Sequence, residues 1–187
     1  MIAAVILAAG GSSRFGSPKQ LIELNSENIV ARAVRVAAEA GCDPVIVIAG
    51  AAADKLPSLE SARTIVNEEW MSGQSTSLRL GIRHAREAGA NAAVVMLSDQ
   101  PLIDAQMLRS LIESFSQGHP IVAASYNDTI GVPAIFSEEY FEELCSLHGD
   151  RGAGNWLRQR AEVVAIRMPA AESDVDTPQD LERIRQA

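Results

Sequence analysis

The residues best suited to chemistry in this chain are a glycine-rich stretch carrying two cations and a few aspartates placed at the ends of apolar runs. Ala8-Ala9-Gly10-Gly11-Ser12-Ser13-Arg14-Phe15-Gly16-Ser17-Pro18-Lys19 follows the first such run. Small residues let a backbone approach a ligand closely, and successive N–H groups in such a loop can cradle a phosphate oxygen. Arg14 adds a planar fork of donors and Lys19 a point charge. The segment therefore reads as a triphosphate clamp. A plain turn with two solvated cations would leave the run of small residues without a reason. The spacing is not that of a P-loop, because Gly16-Ser17-Pro18-Lys19 lacks the Gly-Lys-Ser/Thr ending, and it is not the dinucleotide Gly-x-Gly-x-x-Gly pattern.

Ala93 to Leu97 leads into Ser98-Asp99-Gln100-Pro101, which sets a carboxylate at the end of an apolar run. A hard oxygen ligand there suits Mg²⁺, which takes one or two carboxylates together with substrate phosphates. Asp174 and Asp176 form a second acidic site just ahead of Thr177-Pro178. Taken alone, each of these acids is equally a local turn former. Gly73, Gln74, Ser75 and Ser77 open a helical pattern, where they can either serve a ligand or cap the helix. In the second half, Gly131-Val132-Pro133 and Gly149-Asp150-Arg151-Gly152-Ala153 stand out, with turns as the simpler account.

The elements that must position these groups follow from periodicity. Ile2 to Leu7, Val45 to Ile48, Thr64 to Val66, Ala93 to Leu97, Ile121 to Ala124, Val132 to Phe136 and Val163 to Ile166 are continuous apolar runs, the signature of strands covered on both faces. Helical spacing recurs over Ile29 to Ala37, with Gly41 as its stop, over Leu78 to Ala85, and over Met107 to Phe115 with Asp104 as N-cap. A fourth helix is expected from about Ser137 to Leu147, and a last one from Thr177, where Pro178 and Asp180 make a capping box. Alternating strands and helices imply right-handed crossovers. The expected fold is a Rossmann-like three-layer α/β/α domain over residues 1–187, with a mostly parallel sheet. Val132 to Phe136, after a turn through Asn127, Asp128 and Gly131, is the one strand expected to pair antiparallel. In such sheets ligands bind beyond the carboxyl ends of the strands, which directs attention to the loops after Leu7, Val66 and Leu97.

Composition narrows the partners. Sixteen Lys and Arg against 24 Asp and Glu give a formal net charge of -8. That excludes nucleic acid and anionic membrane as main partners, since both need a basic face. Trp70 and Trp156 lack the aromatic series that would stack single strands. Only Lys19 and Lys55 are lysines, and Lys55 has no motif around it. Two cysteines, Cys42 and Cys145, are too few for a disulfide framework and match no metal-ligand spacing, as in a cytoplasmic protein. The three histidines are scattered without ligand spacing. Ile2 to Ala9 is too short to cross a bilayer and follows no basic residue, so neither a signal peptide nor a membrane span is expected.

The motifs as an ordered set resemble those of the MobA-like nucleotidyltransferases. Leu7-Ala8-Ala9-Gly10-x-Ser12-x-Arg14-x-Gly16-x-x-Lys19 is similar to that family's nucleotide-binding signature. Asn67 to Trp70 with Gly73-Gln74-Ser75-x-Ser77-Leu78, Asp99-Gln100-Pro101, Gly131-Val132-Pro133-Ala134, Gly149 to Ala153 and Asp174 to Pro178 continue the match along nearly the whole chain. Leu-Ala-Ala-Gly, where guanylyltransferase relatives show Leu-Ala-Gly-Gly, resembles the molybdenum cofactor cytidylyltransferase branch, so Ala9 tilts the reading from GTP to CTP.

The resemblance implies a nucleotide-diphospho-sugar transferase-like fold. It also implies Mg²⁺-dependent transfer of CMP from CTP to a molybdopterin-type cofactor, with release of pyrophosphate. A molybdenum hydroxylase-type enzyme would then receive the product. By the same resemblance Arg14, Lys19 and Asp99 are catalytic. Leu7, Ala8, Ala9, Gly10, Gly11, Asn67, Gly73, Ser75 and Ser77 join them around the nucleotide. Asp99 and Asp176 hold the metal, with Asp174 able to share that task. Gln100, Pro101, Gly131, Pro133, Asp150 and Arg151 face the acceptor. Where the family pattern continues Gly-Ala-Arg, this chain has Gly154 after Ala153, one cation fewer. A guanylyltransferase, a sugar-phosphate nucleotidyltransferase and a non-catalytic cofactor carrier are the competing readings.

Overall fold

Each of the seven apolar runs forms a strand, and the patterns between them form helices. The computed structural model describes residues 1–11, 15, 18–150 and 152–186. In chain order the elements are β1 (Ile2–Ala8), β2 (Glu23–Leu24), β3 (Glu27–Asn28), α1 (Ile29–Glu39), β4 (Val45–Ala49), β5 (Arg63–Val66), α2 (Gln74–Glu87) and β6 (Ala92–Leu97). They continue with α3 (Ala105–Ser116), β7 (Ile121–Tyr126), β8 (Thr129–Ser137), α4 (Phe141–Cys145), α5 (Ala153–Leu157), β9 (Val164–Arg167) and α6 (Pro178–Gln186).

Seven strands make one sheet in the order β5-β4-β1-β6-β8-β7-β9. Every pairing is parallel except those of β8, which runs antiparallel to β6 and to β7. The expected antiparallel strand is therefore β8, and it begins earlier than its apolar run. Asn127 and Asp128 turn the chain with positive φ, a conformation that Asn and Asp tolerate, and pairing resumes at once with Tyr126 opposite Thr129. Gly131 thus lies inside the strand, just before a bulge at which Ala123 pairs with Ala134 and Ala124 with Gly131.

The period of two along each strand sorts side chains to two faces. Ala4 and Ile6 of β1 pack with Val30 and Val34 of α1 and Leu108 and Leu111 of α3. Val5 and Leu7 pack on the other face with Leu78 and Ile82 of α2, Phe141 of α4 and Trp156 of α5. Helix α2 lies so close to β1 that a Cβ on Gly81 would overlap Val5. The Asp104 side chain caps α3 by accepting from the Met107 N–H at 2.8 Å. The expected box at α6 is formed, with the Thr177 N–H donating to Asp180 at 2.8 Å.

Two features lie outside the periodic reading. The β2–β3 hairpin is made of two-residue strands, and the fourth expected helix is a short turn over Glu138–Tyr140 followed by α4. No described helix is long and apolar enough to cross a membrane.

Candidate active site

The cleft forms where the parallel strands end. Leu7 and Ala8 close β1, Leu97 closes β6, and the chain after β5 returns through Trp70 and Met71 into α2. Together with Ala9, Gly10 and Gly11 these segments enclose about 330 Å³. All three loops expected to carry chemistry, those after Leu7, Val66 and Leu97, meet here.

A buried side chain sets the first loop. Gln20, 1% exposed, donates from Nε2 to the Ala8 carbonyl at 2.9 Å and to the Gly10 carbonyl at 2.8 Å. The same short turn, Lys19–Leu21, directs the Lys19 ammonium across the cleft to Asp99, with which it forms an ion pair. It also donates to Asp176 at 3.0 Å. Asp176 comes within reach because the Val175 N–H donates to the Asp99 carbonyl at 2.9 Å, splicing the segment before α6 onto the end of β6.

This is a cluster of three acids around one described lysine, and its titration follows from that. Burial alone would lower the Lys19 pKa, but the Asp99 charge and hydrogen bond, with those of Asp176, outweigh it and raise the group above its ordinary value. Asp174 is the surplus acid. Desolvation and the neighbouring Asp99 and Asp176 charges, against a Gln100 hydrogen bond and Lys19, push its carboxyl up to about 7. Crowding of like charges at the site adds to desolvation in the same direction.

The wall of the cleft at the start of α2 is held from behind. Asn67, 5% exposed, donates to Thr76 Oγ1 at 2.8 Å and Ser77 Oγ at 2.9 Å, and accepts from the Glu69 N–H at 3.0 Å. Ser77 lines the cleft, so Asn67 positions a wall it does not itself form. Ser75 is fully buried and its N–H donates to the Gly149 carbonyl at 3.2 Å. Gly73 also lines the cleft. Its φ of 108° and the Gly149 carbonyl against its face leave no room for a side chain.

The residues expected around the nucleotide thus fall into three groups. Leu7, Ala8, Ala9, Gly10, Gly11, Lys19, Gly73, Ser77 and Asp99 line the cleft. Asn67 and Ser75 lie behind it. Arg14 is outside the described residues. Of those expected to face the acceptor, Asp150 lines this same cleft. Gln100 is buried and donates to the carbonyls of Val132 at 3.2 Å and Ala171 at 2.7 Å, which makes it a strut beneath the site. Pro101 and Pro133 are buried as well, Gly131 lines a neighbouring cavity, and Arg151 is outside the described residues. The cleft also contains Gln74, which the sequence places on a loop able to serve a ligand, and Gln20, Trp70, Met71 and Ser98, to which the sequence assigns no site role.

Among the described residues, no group of three or more His, Cys, Asp and Glu side chains is arranged to hold a metal. The two-carboxylate set that Mg²⁺ needs is nonetheless present. Asp99 Oδ1 is a buried carboxylate oxygen with no hydrogen-bond partner, and the Lys19 ammonium already marks a place for positive charge between Asp99 and Asp176. These residues fit a hard divalent cation.

A family profile described as the MobA-like NTP transferase domain matches residues 4–163. Nicotine blue oxidoreductase of Paenarthrobacter nicotinovorans is 30% identical, covering 98% of this chain and 96% of its own. Purine catabolism protein PucB of Bacillus subtilis is 28% identical over 98% and 95%, and a probable molybdenum cofactor guanylyltransferase of Mycobacterium avium is 28% identical over 100% and 96%. Among solved structures, Rv0371c of Mycobacterium tuberculosis superposes with a TM-score of 0.86 at 31% identity, covering 100% of this chain and 98% of its own. The same protein in complex with manganese gives 0.81 at 30%, over 100% and 98%.

Proposed function

Because the chain belongs to the MobA-like NTP transferase family, we propose that it transfers CMP from CTP to the terminal phosphate of a molybdopterin-type cofactor. An oxygen of the acceptor phosphate forms the new bond to the α-phosphorus as the bond from that phosphorus to pyrophosphate breaks. No covalent enzyme intermediate is needed, and the protein's task is to position two anionic substrates and offset their charge.

The observation that carries this reading is the convergence of Lys19, Asp99 and Asp176 at a cleft lined by the Ala8 to Gly11 backbone. The loop's N–H groups, with Lys19 and Arg14, serve the phosphates of the nucleotide. Asp99 and Asp176 would hold Mg²⁺, which when bound supplies positive charge to the phosphate oxygens. Lys19 then has a phosphate to turn to in exchange for its carboxylates. Ser77, held by Asn67, lies along the base. Ala9 favours cytosine over guanine by the Leu-Ala-Ala-Gly resemblance, while the Mycobacterium avium relative carries a guanylyltransferase name. GTP is therefore the competing donor.

The test is incubation with molybdenum cofactor, Mg²⁺ and either CTP or GTP, with the product identified by mass. The cytosine dinucleotide with equimolar pyrophosphate is the expected outcome. A guanine dinucleotide would reassign the donor, and no dinucleotide from either would overturn the reading. Absorbance of reduced nicotinamide, followed in parallel, separates it from the activity in the name of its Paenarthrobacter relative.

A further inference from the structure

A second cavity of about 160 Å³ adjoins the nucleotide cleft, with Leu7, Gln74 and Leu97 forming a wall common to both. An occupant of one therefore lies beside an occupant of the other. Glycines keep the second cavity open. A Cβ on Gly154 would stand 3.4 Å from Arg158 Nη1, and one on Gly131 would meet the Tyr126 hydroxyl at 2.5 Å. Arg158 and Tyr126 thus bring a guanidinium and a phenol to the same small-residue wall, and both line the cavity.

Charge decides what this place can hold. The cleft carries Asp99 and Asp150, with Asp174 and Asp176 close by, and Lys19 is committed to Asp99 and Asp176. An anionic acceptor entering beside these acids needs a cation not tied to them. Among the described residues, Lys19 and Arg158 are the cations that line the two cavities. Arg158 donates to the Ile130 carbonyl at 3.3 Å and to Asn155 Oδ1, both neutral acceptors, and forms no ion pair with a described carboxylate. A guanidinium has five donors in a planar fork, so most of its capacity remains, in the geometry that suits a phosphate. Burial and the Asp174 charge, against Arg158, raise the Tyr126 pKa, which keeps its hydroxyl a donor at neutral pH.

We propose that Arg158, with the Tyr126 hydroxyl, binds the phosphate monoester of the acceptor in the cavity between Gly131 and Gly154. The site rests on the nucleotidyl-transfer reading for its role in the reaction, but the anion site itself can be tested without turnover.

Isotope-labelled protein saturated with CTP and Mg²⁺ is titrated with inorganic phosphate, and the backbone amides of Gly131 and Gly154 are followed by NMR. Saturable shifts at both are expected. In Arg158→Gln the phosphate affinity should fall by at least about tenfold, the scale of a lost charge-assisted pair, with partial recovery in Arg158→Lys. The KM for molybdopterin should rise by a similar factor while CTP affinity stays within about twofold, since Arg158 lines the second cavity and not the nucleotide cleft. Equal phosphate affinity in Arg158→Gln and the parent overturns the site. A parent that binds phosphate at Gly154 through Arg158 but transfers nothing to molybdopterin upholds the site and overturns the proposed function instead.

Discussion

Lys19 and Asp99 form an ion pair that joins the end of the glycine-rich loop to the end of β6, across the cleft both residues line. Each side chain is mostly covered, 16% and 14% exposed, so the pair is shielded more than a surface contact would be. If Asp99 and Asp176 hold the metal as proposed, lysine and metal compete for the same carboxylates.

That competition is measurable. Lys19→Met keeps the length of the stem and removes the charge, leaving Asp99, Asp174 and Asp176 without their described cation. Without nucleotide, the variant is expected to gain more thermal stability from millimolar Mg²⁺ than the parent does, because nothing has to be displaced. With nucleotide the order reverses, since the phosphates lose a cation. Equal metal-induced shifts in the two proteins would show that Lys19 does not occupy the metal's place.

Asp99→Asn removes the charge while preserving the shape. Turnover is expected to fall by at least about a hundredfold, the scale for losing one electrostatic stabiliser in a transition state. Pyrophosphate release is the readout, with circular dichroism to confirm that the fold persists. Near-parent release would take Asp99 out of the mechanism.

The cleft's location is legible in the sequence because a parallel sheet places ligands at the carboxyl ends of its strands, and the runs ending at Leu7, Val66 and Leu97 can be read directly. What joins those ends is not. Lys19 meets Asp99 from 80 residues away, and no periodicity encodes such a meeting. Asp176 is delivered by a backbone hydrogen bond from Val175 to Asp99, which leaves no trace in residue types. Gln20 and Gln100 look like ordinary polar residues, yet their amides hold the Ala8 and Gly10 carbonyls and those of Val132 and Ala171. The Gly154 departure is visible in sequence. The guanidinium over it comes from Arg158, four residues on, a helical spacing that becomes informative only once the short helix α5 is known.

The surplus acid makes stability depend on pH. Asp174 titrates at 3.8 ordinarily and at about 7 in the folded protein, so between those values the native state holds a proton that the unfolded chain has released. Its ionisation therefore costs stability as pH rises across that window, and the cost is complete above it. In metal-free protein, Asp174→Asn should match the parent in melting temperature near pH 4 and exceed it at pH 8. A gap that fails to widen between those pH values would mean that the folded-state carboxyl is not raised.

Gln20 tests whether the loop's shape, rather than its charges, sets nucleotide affinity. Its amide is the described side chain that fixes both the Ala8 and Gly10 carbonyls, and with them the course of the loop that lines the cleft. Gln20→Met keeps an unbranched chain of similar volume and removes the two donors. Leaving two carbonyls under-satisfied is expected to cost about 1–3 kcal/mol of stability. If the loop needs that bracing, affinity for CTP with Mg²⁺ should fall as well, in a calorimetric titration run well below the variant's melting temperature. A variant that melts early but binds nucleotide as tightly as the parent would reduce Gln20 to a packing residue and leave the cradle to the glycines alone.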